Sequence, residues 1–160
     1  MRKVAGIVIA LLCVLFVACD NHCYVPQKSM LGIAFVDSTT LKPLEMNNIG
    51  IQGVGSDSII TTGQQASEIF VPLKQNAPQT DFVLAFSRTI EGVEVITYCH
   101  LNVSYNAYPQ LVNPECGCVM FYELESATCI NAQTGEVLNM ELYNTNVVNI
   151  ERDVHLKIHL

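Results

Sequence analysis

The chain has 160 residues, half of them hydrophobic, with 8 basic and 15 acidic side chains and a formal net charge of −7. That length suits one domain with a proper core, and the acidic balance argues against nucleic-acid binding or a polybasic grip on anionic lipid, because like charge repels phosphate.

The N-terminus is Met1-Arg2-Lys3 followed by an apolar run from Val4 to Val17 and then Ala18-Cys19. Two positive charges hold the start on the cytoplasmic side. The run falls short of the roughly 20 apolar residues that span a bilayer. A small residue before a cysteine is what a lipoprotein signal peptidase needs, so residues 1–18 are expected to be removed and Cys19 to carry the lipid. Cleavage there takes Arg2 and Lys3 and none of the acids, so the mature chain is more acidic still. Attachment is then by acyl chains rather than charge, and several chains on one cysteine anchor stably. The expected organisation is a signal at 1–18, a lipidated cysteine and tether at 19–29, and one β-rich domain at 30–160. The expected location is the cell envelope, anchored in the outer membrane, with its periplasmic or surface face left open.

Beyond the tether the pattern is of short extended runs broken by turn residues. Gly32 to Val36 ends at Asp37-Ser38-Thr39-Thr40. Asn48 to Val54 meets the turn Gly55-Ser56-Asp57-Ser58, and Ile59-Ile60 restarts extension. Glu68 to Leu73 is apolar, with Pro72 placing it at an edge or a strand end. Phe82 to Phe86 and Val93 to Tyr105 flank Glu91-Gly92, a hairpin tip. Ala107 to Glu115 reads as a proline-containing loop, then Cys118 to Leu124 and Val137 to Leu142 as strands. Val154 to Leu160 alternates, which puts Val154, Leu156, Ile158 and Leu160 on a core face and His155, Lys157 and His159 in water. No stretch has helical period, and β-branched and aromatic residues fill the runs. The fold expected is all-β, an antiparallel sandwich of immunoglobulin-like general architecture, with a small barrel as the alternative.

Several features together resemble small uncharacterised lipoproteins of Bacteroides-type gut bacteria, a domain of unknown function. They are Cys23 soon after the lipid site, the Gly32–Asp37 strand followed by Leu41-Lys42-Pro43-Leu44, and the Ile69–Leu73 strand. Cys116-Gly117 leading into the Tyr122 strand and the closing Val154–His159 strand complete them. The resemblance implies an exported sandwich-like domain with no assigned activity and no catalytic residue to transfer; this chain departs from it in carrying extra cysteines.

With Cys13 in the signal and Cys19 lipidated, Cys23, Cys99, Cys116, Cys118 and Cys129 remain, an odd number in an oxidising compartment. Cys116 and Cys118 are poor partners because the ring they would close is strained. Cys23 with Cys116 would staple the tether to the body, which leaves Cys99, Cys118 and Cys129 open. A soft metal site from Cys116, Cys118, Cys99 and His100 is the sharper alternative, but Cys99 and His100 point to opposite faces of a strand. His155 and His159 stand about 13 Å apart on a strand and cannot share an ion. No metal and no cofactor is expected.

No nucleophile elbow, zinc-binding helix motif or phosphate loop is present in the sequence. Glu123 with Glu125, or Glu91 with Glu94, read as solvated acids rather than a glycosidase pair. Asn102-Val103-Ser104 falls within a strand. Ser38 and Ser58 sit in turns within short Asp-Ser motifs of the kind O-glycosylated on exported proteins. The chain is therefore expected not to be an enzyme but an accessory or protein-binding envelope lipoprotein. The alternatives are a glycan- or small-ligand-binding module, for which Tyr105, Tyr108 and Tyr143 are the exposed-aromatic candidates, and a metal or redox cysteine protein.

Overall fold

The computed structural model describes residues 28–63, 65–114, 117–149 and 152–160. Among the described residues ten strands follow one another: β1 (Met30–Val36), β2 (Asn48–Gly53), β3 (Ile59–Thr61), β4 (Glu68–Pro72), β5 (Gln79–Ile90), β6 (Val93–Asn113), β7 (Gly117–Asn131), β8 (Asn139–Leu142), β9 (Asn146–Val147) and β10 (Leu156–His159). No helix occurs among the described residues. One sheet has the order β4-β1-β10-β8 and the other β3-β2-β5-β6-β7-β9. Every pairing is antiparallel except β1 with β10. The sheets do not close into one barrel, so the chain is an all-β sandwich.

The core lies between the two inner faces. Leu31, Ile33 and Phe35 of β1, Ile69 and Val71 of β4, and Leu156 and Ile158 of β10 meet Ile49 and Ile51 of β2, Phe82, Leu84 and Phe86 of β5, and Leu101 and Val103 of β6. All alternate along their strands, as a half-buried sheet requires. Phe35 and Phe86 touch across the sandwich with ring centroids 5.0 Å apart. Each such fully buried aliphatic or aromatic side chain contributes about 1.5–3 kcal/mol.

Local chemistry accounts for the longest hairpin. Ile90 pairs with Val93 around Glu91 and Gly92, whose φ angles of 51° and 81° are those of a two-residue type I′ turn, matching the strand twist. Pro72 ends β4, an edge strand, where a missing N–H costs nothing.

Two sequence expectations fail. Residues 107–113 are not loop but the far end of β6, paired with β7 through Tyr108–Phe121, Pro109–Met120 and Leu111–Cys118. The physical reason is that β5 stops at Gln79 opposite Ser104 and the last backbone bond on that side runs from the Tyr105 N–H to the Pro78 carbonyl, so β5 presents no acceptor that would miss a Pro109 N–H and the proline is tolerated. A register shift between Ser104 and Tyr105 marks the change. The second failure is His155. β10 starts one residue later, and His155 is wholly buried instead of standing in water beside Lys157 and His159. His159 is only partly exposed and lies 3.5 Å from the Glu141 carboxylate on the neighbouring strand.

Candidate functional site

Cys19, Cys23 and Cys116 lie outside the described residues, and with them the lipid site and the Cys23–Cys116 staple. Cys99 and Cys129 form a disulfide with 6.1 Å between their Cα atoms. They sit diagonally across β6 and β7, where Leu101 faces Cys129 and Cys99 faces Asn131. Both are buried. With its sulfur in a disulfide, Cys99 has no thiolate to give the metal set considered from the sequence, and exposed His100 points to the opposite face of β6. Among the described residues no group of three His, Cys, Asp or Glu side chains converges on a metal position. Cys118 is a free, exposed thiol.

The three candidate tyrosines do not come together. Tyr105 is in the core, its ring packed edge-on against Tyr122 at 5.2 Å. Its hydroxyl donates to the Lys74 carbonyl (2.7 Å) and lies 2.6 Å from the Thr80 hydroxyl, which in turn accepts from the Lys74 N–H (3.0 Å). Burial pushes the Tyr105 and Tyr122 hydroxyl pKa values up. This closed set of bonds ties the β4–β5 loop to β6, a structural task. Tyr108 is half-exposed on β6 and stacks edge-on with Phe121 at 6.2 Å.

Tyr143 is exposed beyond the end of β8, with the Lys157 ammonium 3.2 Å from its ring centroid, a cation–π contact. It borders a groove of 290 Å³ on the outer face of the four-stranded sheet, floored by Ala34 and flanked by Glu68, Lys157, Leu41 and Pro43. Glu68, Ala34, Lys157 and Glu141 lie opposite one another across β4, β1, β10 and β8. A small residue between two charged ones makes the hollow.

Ser38 and Ser58 are both exposed in turns. The Asp37 carboxylate accepts from the Thr39 and Thr40 N–H groups at 3.0 and 2.6 Å, chiefly the latter holding its pKa below the usual value. The Ser58 N–H donates to the Ser56 hydroxyl. Asn102 is held mid-strand by the Asp81 carboxylate at 2.6 Å. Glu94 accepts from the Ser87 hydroxyl at 2.7 Å, Glu91 occupies the hairpin turn, and Glu123 and Glu125 are exposed on β7.

A larger feature lies on the outer face of the six-stranded sheet. Ile59, Gln52, Val83, His100 and Ile130 form one row across β3, β2, β5, β6 and β7. Thr61, Gly50, Ala85 and Tyr98 form the next, and Asn48, Ser87 and Ile96 a third. Ile59, Val83, Ile96, Tyr98 and Ile130 are exposed. The small residues Gly50, Ala85 and Ser87 leave a hollow of 370 Å³ between Thr61 and Ile96. A sequence signal for it existed: from Val93 to Tyr98 apolar residues occupy both parities of one strand, so one set had to face outward.

His155 is a further buried ionisable group. Its Nδ1 accepts from the Gly32 N–H at 2.9 Å, and its own N–H donates to the Gly32 carbonyl at 2.9 Å, which continues the β1–β10 pairing upstream. Its Nε2 has no hydrogen-bond partner. Burial depresses its pKa; the Asp153 carboxylate and the poorly aligned Asn146 carbonyl oppose the shift more weakly. A histidine that protonates more readily when unfolded contributes stability that is complete above the unfolded pKa, about 6.5, and is lost as pH falls below it. The unfolding free energy measured in urea should therefore drop between pH 7 and pH 5, by up to about 1.4 kcal/mol for each pH unit. His155→Gln should flatten that slope; an equal slope in the variant defeats the assignment.

Neither the comparison with characterised proteins nor that with solved structures found a match. A family model does match, covering β2 through β10 and leaving out β1, which both sheet neighbours β4 and β10 need. The chain belongs to the family of unknown function DUF6452, whose model matches residues 48–160.

Proposed function

We propose that this chain is a lipid-anchored, non-catalytic accessory domain of a Bacteroides-type cell envelope, held in the outer membrane through Cys19, that binds a protein partner. The observation that carries the partner is the outer face of the six-stranded sheet, which exposes five apolar side chains, one of them, Ile96, at the border of a hollow. Soluble domains seldom leave such a face uncovered without a partner for it. The signal layout of residues 1–19 supports the anchor. The disulfide joining β6 to β7 suits an oxidising compartment.

The test is photo-crosslinking in cells from position 96, run on the anchored protein and on Cys19→Ser. Cys19→Ser is expected to leave the membrane fraction for the soluble one. Irradiation of the anchored protein should give a single adduct of defined mass. Unchanged membrane association in Cys19→Ser defeats the anchor, and the absence of an adduct from position 96 defeats the protein-binding face.

A second reading, a glycan or small-ligand module, is favoured by the groove beside Tyr143, which offers an exposed ring, a carboxylate and an ammonium around one hollow. Glycan binding lost in Tyr143→Ala and kept in a position-96 variant would move the function to the four-stranded sheet.

A further inference from the structure

We propose that the slot between the edge strands β3 and β4 binds a medium-chain alkyl carboxylate, with the chain between the two sheets and the carboxylate on Lys74. The site is separate from the outer sheet face and from the groove beside Tyr143, and it does not rest on the anchor. β3 ends the six-stranded sheet and β4 the four-stranded one. Between them lies a slot of 220 Å³ bordered by Ile60 of β3 and Pro72 of β4. Ile51, Phe82 and Leu73, all buried, also border it, so it opens onto the core. Ile60 pairs with Ile51 and shares its inward face, yet it is 36% exposed. β3 has three residues and β4 stops at Pro72, and the sandwich stays open between them. The inward series on β2 runs Ile49, Ile51 and then Gly53, where core parity asks for an apolar side chain and the sequence supplies none. A Cβ there would meet Ser56 Cβ at 3.8 Å and Phe82 Cε1 at 4.0 Å, both ordinary contacts. Neither crowding nor a left-handed φ requires glycine at 53, and its missing side chain leaves the space.

An apolar cavity of about 150 Å³ takes benzene, so this one has room for a somewhat longer hydrocarbon. What selects a charged end is the mouth. Among the described residues that border the slot Lys74 alone carries charge, and it is positive in a chain whose net charge is −7. Its ammonium reaches the Val54 carbonyl, at 3.2 Å, in the turn after β2. Its main chain is pinned by the Thr80 and Tyr105 hydroxyls, so the lysine is held where it stands. One carbonyl takes one of the three donors of an ammonium and leaves the others for a ligand. Ser56 and Ser58 border the same opening, and the Ser56 hydroxyl, which accepts from the Ser58 N–H at 3.2 Å, keeps its own proton to donate. Asp57, between the two serines, does not border the slot. One cation and a hydroxyl beside an apolar hole complement a carboxylate at the end of a hydrocarbon chain.

The test is photolabelling of the full chain, as the cell makes it, with an octanoic acid that carries a diazirine at its far end, the adduct being placed by mass spectrometry. The label is expected on the segments that hold Ile51, Ile60 or Leu73. Octanoate should displace it at about fivefold lower concentration than 1-octanol, the upper end for an exposed charge pair. Lys74→Gln should keep the label and lose that preference for the acid. Gly53→Leu, which fills the slot with a side chain its neighbours admit, should abolish labelling while its thermal unfolding stays close to wild type. Labelling confined to other segments, or labelling that survives Gly53→Leu, overturns the site. Equal displacement by octanoate and octanol in wild type, or an unchanged preference for octanoate in Lys74→Gln, overturns the carboxylate on Lys74 and the proposal with it. Should Gly53→Leu fail to fold, the position of the adduct and the Lys74→Gln comparison decide the matter. Any of these failures leaves the outer-face partner standing, because no residue of that apolar set borders the slot.

Discussion

Gly32→Ala is expected to cost about 3–5 kcal/mol and to leave little folded protein at 37 °C, a large share of the roughly 5–15 kcal/mol that holds a domain together. A Cβ built on Gly32 would lie 2.1 Å from the Asp153 carbonyl oxygen and 2.8 Å from Phe70 Cε1. The first of these is backbone and cannot swing aside. The residue also donates to His155 Nδ1 and accepts from the His155 N–H, so any retreat of β1 breaks both bonds and uncovers the orphaned imidazole. Gly50→Ala is the control, since the added methyl meets only Thr61 Cγ2 at an ordinary 3.8 Å. Urea unfolding should show Gly50→Ala close to wild type and Gly32→Ala far below it. A Gly32→Ala protein within about 1 kcal/mol of wild type would mean that β1 and the segment before β10 are not in this close contact.

Removing the Cys99–Cys129 disulfide is the other large effect. The bond closes a loop with a sequence separation of 30, for which chain entropy gives about 3–4 kcal/mol. Thermal unfolding of Cys99→Ala/Cys129→Ala should fall by roughly 10–15 °C relative to wild type. Alanine is the right replacement because both sites are buried and a serine hydroxyl would lack a partner there. Reductant should lower the wild-type midpoint toward that of the double variant and leave the double variant's own transition little changed. Under denaturing conditions without reductant, Cys99 and Cys129 should resist alkylation while Cys118 reacts. Alkylation of all three would remove the disulfide from the account of stability.

Much of the fold was legible because strands write their burial locally. Ile49 and Ile51, or Leu101 and Val103, alternate with polar neighbours, and their parity alone predicts which side is core. Glu91-Gly92 predicts its turn because few residue pairs accept two positive φ angles. Pro72 marks an edge by the hydrogen bond it cannot make. Pro109 misleads for the same reason: the sequence shows a missing donor but not that β5 has already ended on that side.

The candidate site was less legible. Tyr105, Tyr108 and Tyr143 look alike as loop-flanking aromatics, yet one is a core anchor, one lies toward the far end of β6 and one stands beside the other sheet. The outer-face apolar set is assembled from four strands, and only β6, with two members, shows it in its own segment.

By itself, then, the sequence determined the all-β class, the core parity of most strands, the hairpin at Glu91-Gly92 and the placing of Pro72 at an edge or a strand end. Only the tertiary structure decided that β1 and β10 lie parallel, that Cys99 joins Cys129, that His155 is buried, and that small residues on β2 and β5 open a hollow among exposed apolar ones. The reason is physical: parity and turn chemistry act over two to four residues, whereas Gly32 and His155 are 123 residues apart, and the energy of their contact is written in neither segment alone.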